Sequence, residues 1–490
     1  MKLNEILKNV EIAELHADPE LEIGGVAYDS RAVTAGGLFV AVRGHETDGH
    51  AYIAAAVESG AACVLCEEPP SVTVPYVLCA NTRRAMAYVS ANWFGNPAEK
   101  LKIIGVTGTK GKTTTTSLIK NALESLTGKP VGLIGTICDM IGPRVIESKR
   151  TTPTTPDSYE LHGLFAQMLE AGCEYAVMEV SSHALVLDRV AGIEFEVGVF
   201  TNLAHEHLDF HETMDEYARA KSILFAHSRK CVFNCDNSYS RVMQAAAEGD
   251  IFTYSIDNVE CDVVAKRVRL SRDRVEFSAL TLETLQPIEI AAPGKFSVYN
   301  ALAAIAVCLK LGFGIGDIAD ALADAPAVKG RAEVVPIDAD FTVIIDYAHT
   351  PDSLEQIITT LKDGAQGRVV TLFGCGGDRD EGKRPIMGDI AARLSDFVIV
   401  TSDNPRTEKP EAIIEKITAG ISGDNYVVIP DRRAAIEYAI ENAQTGDTIL
   451  LAGKGHETYQ ERGKVKFPFD ERVVVAEIMA VRAPREDTRV

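Results

Sequence analysis

Residues 107–114 read TGTKGKTT and lie between the apolar run KIIGV and a stretch of helical periodicity. Gly108 and Gly111 free the backbone to turn N–H groups toward an anion, and Lys112 can reach terminal phosphate oxygens. Thr113 offers a hydroxyl to Mg²⁺, so strand, glycine turn and helix together form a phosphate cradle. The strict spacing GxxxxGK[ST] is not met, because its first position is Val106. Two further apolar runs end in metal-type ligands: Glu179 after YAVM, and Asn202 after VGVFT, followed by His207 and Asp209. His207 and His211 are four apart, which raises zinc. The motif is not HExxH and no third ligand stands at useful spacing, so Mg²⁺ beside the phosphate loop is the better reading. Lys221, taken alone, reads as a solvated lysine on its own helix.

A second group of polar residues follows the run DFVIV. TSDNPRTEKP, residues 401–410, contains almost nothing that could pack in a core, and Asp403, Asn404 and Arg406 bracket a proline. The backbone is thereby stiffened while three polar side chains project. Three more apolar runs of this region end similarly: FTVII in DYAHTPD, RVVTLF in GCGGDRD, and DTILLA in GKGHE. Ligands of open parallel sheets sit outside the carboxyl ends of the strands, so four such loops on one edge predict a lined site.

The elements that must position these residues alternate strand and helix, which predicts an α/β protein with mainly parallel sheets. Three blocks are legible: 1–100, with short strands and turns; 101–328, opening with the phosphate loop; and 329–490. At 490 residues the chain exceeds one ordinary core. The helix after the phosphate loop carries Leu118, Ile119, Ala122, Leu123 and Leu126 on one face. Cys63 and Cys66 form a CxxC inside a strand-like run. Residues three apart on a strand face opposite ways, so reduced core thiols are expected there.

A formal net charge of −21 argues against non-specific binding to nucleic acid or to an anionic membrane. No secretory leader opens the sequence, and no run of about 18 apolar residues predicts membrane insertion. A cytoplasmic protein is expected.

TGTKGKTT, EVSSHAL, TNLAHEHLDFH, YARAKSILF, YNALAA, KGRAE, DYAHTPDSLE, GCGGDRD, SDNPRTE and GKGHE occur in the order found in Mur ligases, and the resemblance covers essentially the whole chain. It implies three domains: an N-terminal α/β domain gripping the UDP end of UDP-MurNAc-L-Ala-D-Glu, a central P-loop-type domain binding ATP, and a C-terminal Rossmann-like domain bringing the amino acid. It implies that the γ-phosphoryl of ATP activates the D-Glu side-chain carboxylate as an acyl phosphate, which the amine of meso-diaminopimelate then attacks.

By motif position, Gly108, Thr109, Lys110, Gly111, Lys112, Thr113 and Thr114, with Asn300, Arg331 and Asp346, would bind ATP. Ser30, Arg31, His45, Thr154, Thr155, Ser181 and Arg189 would hold the UDP-MurNAc-dipeptide; related proteins often carry glutamine where this chain has Leu187. Thr113, Glu179, His207 and Lys221, the last as a carbamate, would serve Mg²⁺. Lys112, Lys221 and His207 would be catalytic. The Asp-Asn-Pro-Arg stretch matches the family's signature for diaminopimelate, with Arg406 forking onto the distal carboxylate. Asp403 and Asn404 would take the distal ammonium, and Arg379, Gly453 and Glu457 would complete the pocket. A monomer is expected.

Three rivals remain. L-lysine in the same reaction would not need the Asp-Asn-Pro-Arg loop. A folylpolyglutamate-type ligase would lack about 100 residues before the phosphate loop. A nucleotide-switched binding protein without ligase activity would not need the polar lining of the C-terminal sheet edge.

Overall fold

A computed structural model describes residues 1–44, 47–147 and 152–482. The chain divides into two compact units, residues 1–264 with 302–318, and residues 265–301 with 319–490. His45, expected at the nucleotide-sugar, lies outside the described residues.

The first unit holds two sheets. A five-stranded sheet runs in the order Ile12–His16, Tyr76–Cys79, Ala61–Cys66, Gly37–Val40, Val26–Ala27, antiparallel only at its first pair. Cys63 packs with Leu38, Leu65 and Met86 on one face, and Cys66 with Phe39 and Ile53 on the other. The period-two alternation is therefore observed, and none of the ten cysteines forms a disulfide among the described residues.

In the second sheet Lys102–Thr107 is central, between Tyr175–Glu179 and Phe195–Phe200, with both pairings parallel. Gly132–Ile134 extends one side and Ser228–Asn234 the other, also in parallel. The carboxyl ends of three adjacent strands thus bring the phosphate loop, Glu179 and Asn202 to one edge. The helix Lys112–Thr127 starts directly from Gly111, whose φ of +83° is a left-handed conformation that glycine adopts without strain. Leu118, Ile119, Ala122 and Leu123 bury its inner face.

The second unit is built on a six-stranded sheet ordered Glu333–Val335, Thr342–Asp346, Thr448–Ala452, Val369–Phe373, Phe397–Val400, Tyr426–Val428. Only the first pair is antiparallel. Helices cover both faces, one core gathering Leu354, Ile358, Met387 and Ile417 and the other Ile436, Ile440 and Val475. The four strands that the sequence ends in polar loops are the four consecutive central ones, so their loops share one edge as expected.

Candidate active site

The phosphate loop is held rigid from below. A Cβ on Gly108 would sit 2.0 Å from Thr201 Oγ1, so only glycine fits there. Asn202 clamps the Lys110 peptide from both sides: Lys110 N donates to Asn202 Oδ1 at 2.9 Å, and Asn202 Nδ2 donates to Lys110 O at 3.0 Å. Thr201 Oγ1 donates to the same carbonyl at 2.7 Å. Asn202 therefore supports the loop, with each end of its amide engaged by backbone. Thr109 is tied through its hydroxyl to Tyr217 OH and receives Ala204 N. Thr113 and Thr114 lie half-buried on the first turn of the helix.

Two lysines converge on this loop. Lys112 Nζ donates to Gly108 O at 2.8 Å and Thr109 O at 3.0 Å, and Lys221 Nζ donates to Gly108 O at 3.0 Å. Lys221 is only 1% exposed and lies over the Tyr217 ring. A solvated lysine was the expectation from its local sequence; the helix Met214–Ala226 instead turns it inward, beneath the loop. Burial, then the charge of Lys112, pushes its amine well below the ordinary lysine range.

Glu179 is buried and accepts hydrogen bonds from Thr136 N at 2.7 Å and Thr136 Oγ1 at 3.0 Å. The same threonine hydroxyl meets Thr154 Oγ1 at 3.0 Å. Thr155 Oγ1 donates to Glu179 O and accepts from Ser181 N, while Ser181 Oγ caps the short helix Ser182–Val186. Arg189 donates to Thr155 O at 3.2 Å and pairs with Asp157 at 2.7 Å. Thr154, Thr155, Ser181 and Arg189 thus form one network with Glu179. Ser30 and Arg31 stand outside it, on a turn where exposed Arg31 pairs with Asp29.

His207 is exposed, has φ of +57°, and stands edge-on to His183 at 5.3 Å and to Tyr217 at 5.9 Å. His211 is buried, with Nε2 2.8 Å from Ser182 Oγ. The two histidines therefore occupy different environments. Among the described residues no group of three or more His, Cys, Asp or Glu is placed to hold a metal.

In the second unit the Asp-Asn-Pro-Arg loop differs from expectation: residues 401–405 are buried, not projecting. The reason is that neighbouring loops satisfy its polar groups. Gln460 Nε2 donates to Asp403 O at 2.7 Å, and buried Arg432 donates to Ser402 O and Ala452 O while pairing with Glu471. Glycines permit the approach, since a Cβ on Gly377 would lie 1.9 Å from Pro405 O and one on Gly374 would lie 2.4 Å from Thr401 O.

Asn404 Oδ1 accepts from Lys454 Nζ at 3.1 Å and Glu461 N at 2.9 Å, and its Nδ2 donates to Glu457 Oε2 at 2.8 Å. Its oxygen thus accepts two hydrogen bonds and its NH₂ group donates one. Asp403 stands across from Gly453, where a Cβ would lie 2.6 Å from Asp403 Oδ2.

Arg406, at φ +50°, donates through Nε to Glu461 at 3.1 Å and through Nη1 to Gly377 O at 2.7 Å. Arg379 is exposed and flanks the same Gly376 as Arg406. Arg331 lies over the Tyr347 ring, and Asp346 accepts Ala332 N at 2.7 Å and Ala348 N at 2.8 Å. Desolvation raises the Asp346 carboxyl above its ordinary value, against the opposing pull of Arg331 and these amides. Asn300 is buried in the same unit. Sequence reasoning missed Lys454, Glu461, Thr136 and the clamping role of Asn202. Lys454 lies inside the GKGHE motif, whose two glycines, both at positive φ, were its only signal.

Three family models match the chain: "Mur ligase family, catalytic domain" over 22–100, "Mur ligase middle domain" over 106–308, and "Mur ligase, glutamate ligase domain" over 330–455. A UDP-N-acetylmuramoyl-L-alanyl-D-glutamate–2,6-diaminopimelate ligase of Caldanaerobacter subterraneus is 48% identical over 98% of this chain and 99% of its own. One of the same name from Clostridium acetobutylicum is 45% identical over the same shares. A solved structure bearing that name superposes with a TM-score of 0.75 at 33% identity, covering 99% of this chain and 100% of the other. Folylpolyglutamate synthase of Mycobacterium tuberculosis, at 18% identity and a TM-score of 0.62 over 83% of this chain and 95% of its own, shares the fold. The chain belongs to the Mur ligase family.

Proposed function

We propose that this Mur ligase couples ATP to amide-bond formation between meso-diaminopimelate and the D-Glu side-chain carboxylate of UDP-MurNAc-L-Ala-D-Glu, in the cytoplasm, as a step of peptidoglycan precursor synthesis. The observation that supports the choice of amino acid is the gathering of Asp403, Arg406, Arg379 and Glu457 on loops at adjacent strand ends. It occurs in a chain 48% identical, end to end, to a ligase named for 2,6-diaminopimelate. Three functional regions, 1–100, 101–328 and 329–490, divide the work of binding UDP-sugar, ATP and amino acid.

A carboxylate is a poor electrophile. An oxygen of the D-Glu carboxylate attacks the γ-phosphorus, the bond to the ADP oxygen breaks, and an acyl phosphate results. The free amine of diaminopimelate then adds to the acyl carbon, loses a proton, and phosphate leaves with the C–O bonding pair. The rigid loop of Gly108 to Thr114 positions the phosphates, and Lys112 swings from Gly108 O and Thr109 O onto the γ-phosphoryl oxygens. Asn300, Arg331 and Asp346 contribute to the nucleotide. Ser30, Arg31 and His45 hold the nucleotide-sugar, and Thr154, Thr155, Ser181 and Arg189 hold the dipeptide.

Magnesium fits these residues in one particular manner. Mg²⁺ prefers oxygen ligands, keeps several waters, and is held by one or two carboxylates together with substrate phosphates. Glu179, oriented by Thr136, and the Thr113 hydroxyl would hold it in that mode, with His207 as a further candidate side chain; no protein cage is needed. When bound, the ion neutralises charge on the phosphoryl oxygens. Lys221, whose buried amine favours the neutral form, would add to CO₂ with loss of a proton, and the resulting anionic carbamate would supply a further oxygen donor.

The test is phosphate release from ATP by the purified chain with UDP-MurNAc-dipeptide, comparing meso-diaminopimelate with L-lysine. Release that requires the dipeptide and prefers diaminopimelate is expected. Release with L-lysine alone, or with no amino acid at all, sinks the assignment.

A further inference from the structure

Lys454 is a fully buried cation inside the amino-acid pocket, at 0% exposure. Its backbone lies between Gly453 at φ +112° and Gly455 at φ +52°, so two left-handed glycines turn the chain to aim it inward. Its ammonium contacts Asn404 Oδ1 and Glu457 Oε2, each at 3.1 Å, and the Tyr459 ring face at 5.7 Å. A lysine buried this deeply costs stability unless it is paired and hydrogen-bonded, and here it is both.

The consequence falls on Asn404. Lys454 Nζ and Glu461 N are both donors, so the amide oxygen must face them, and Nδ2 must then face the Glu457 carboxylate. A flipped amide would set its NH₂ against an ammonium and leave Glu457 without its hydrogen. Resting on the proposed function, we infer that Lys454 is a positioning residue for the incoming amino acid. It locks Asn404 and Glu457 in one orientation and pairs with the Glu457 carboxylate. Beside them, Asp403 and Arg406, with Arg379 at the same Gly376, match the ammonium and carboxylate at the distal centre of diaminopimelate. The pocket's selectivity is therefore set by which charges are internally paired as well as by which are present.

Lys454→Met and Lys454→Gln test this by steady-state kinetics. Losing a charge-assisted hydrogen bond should raise KM for diaminopimelate about tenfold or more in Lys454→Met. Lys454→Gln, which still donates to Asn404 Oδ1, should rise less. KM for ATP and for the UDP-dipeptide should stay within about twofold, a split that a merely structural defect would not produce. An unchanged diaminopimelate KM in folded Lys454→Met, or equal rises in all three, overturns the inference. If neither variant folds, a structure of the wild-type protein with diaminopimelate decides. Lys454 remaining on Asn404 and Glu457 supports it; a substrate ammonium on Asn404 Oδ1 in place of Lys454 overturns it. Should the wild-type chain turn over another amino acid, the proposed function fails, and the same KM split is then read on that amino acid.

Discussion

Lys221 and Lys454 are both buried almost completely, yet their surroundings are opposite. Lys454 has a carboxylate, an amide oxygen and an aromatic face around its charge. Lys221 has one carbonyl, an aromatic face and a second lysine on the same carbonyl; among the described residues no carboxylate is in salt-bridge contact with it, and the charge of Glu206 only partly offsets burial and Lys112. Burial beside a carboxylate and an amide oxygen lets the lysine organise its neighbours. Burial without a paired carboxylate favours a neutral amine, which is a nucleophile. On the proposed function the same residue type serves architecture in one place and chemistry in the other, and only its partners distinguish the two.

The most severe way to break this contrast is Lys112→Ala, which removes the cation beside Lys221. Ligase activity should fall at least about a hundredfold, the scale of losing one donor to developing charge. The fold, read by circular dichroism, should persist, and activity within tenfold of wild type contradicts the role. Lys221→Ala should be nearly inactive as well, with partial recovery on adding small carboxylates. In protein equilibrated with ¹³C-bicarbonate, a carbamate resonance should vanish in Lys221→Ala and persist in Lys454→Met. Its presence in Lys221→Ala would place the modification elsewhere.

Arg406→Ala is milder. KM for diaminopimelate should rise about ten- to hundredfold with KM for ATP nearly constant. Arg406→Lys should recover only part of this loss, because an ammonium cannot form the fork. Unaltered preference for diaminopimelate over lysine would hand the role to Arg379. The smallest effect is expected for Glu461→Gln. Its pair with Arg406 is partly exposed, so KM for diaminopimelate should rise only roughly two- to fivefold. A fall in KM would show that Glu461 competes with the substrate carboxylate instead of orienting the arginine.

What the sequence made legible was local. The phosphate loop is a contiguous signal, and four apolar runs ending in polar loops needed only the rule for parallel sheets to be placed on one edge. Facing of Cys63 and Cys66 followed from strand periodicity. Pairings across long separations were not legible. Lys454 meets Asn404 across 50 residues and Glu461 meets Arg406 across 55, and no periodicity encodes either. The burial of residues 401–405 was misjudged for the same reason, since polarity predicts exposure until distant partners are known. Lys221 was singled out only by family position, although its burial beneath the loop now supplies a physical ground.

The glycines of residues 374–377 have a practical corollary for anyone re-engineering amino-acid choice. Gly377 has no room for a Cβ because Pro405 O occupies that space, and Gly374 is equally confined by Thr401 O. The two loops are interlocked backbones, so grafting a foreign 401–407 segment alone would set a new main-chain path against a mould cut for the old one. A successful chimera has to exchange both loops as a single cassette, together with the hairpin Tyr459–Pro468 that closes over them.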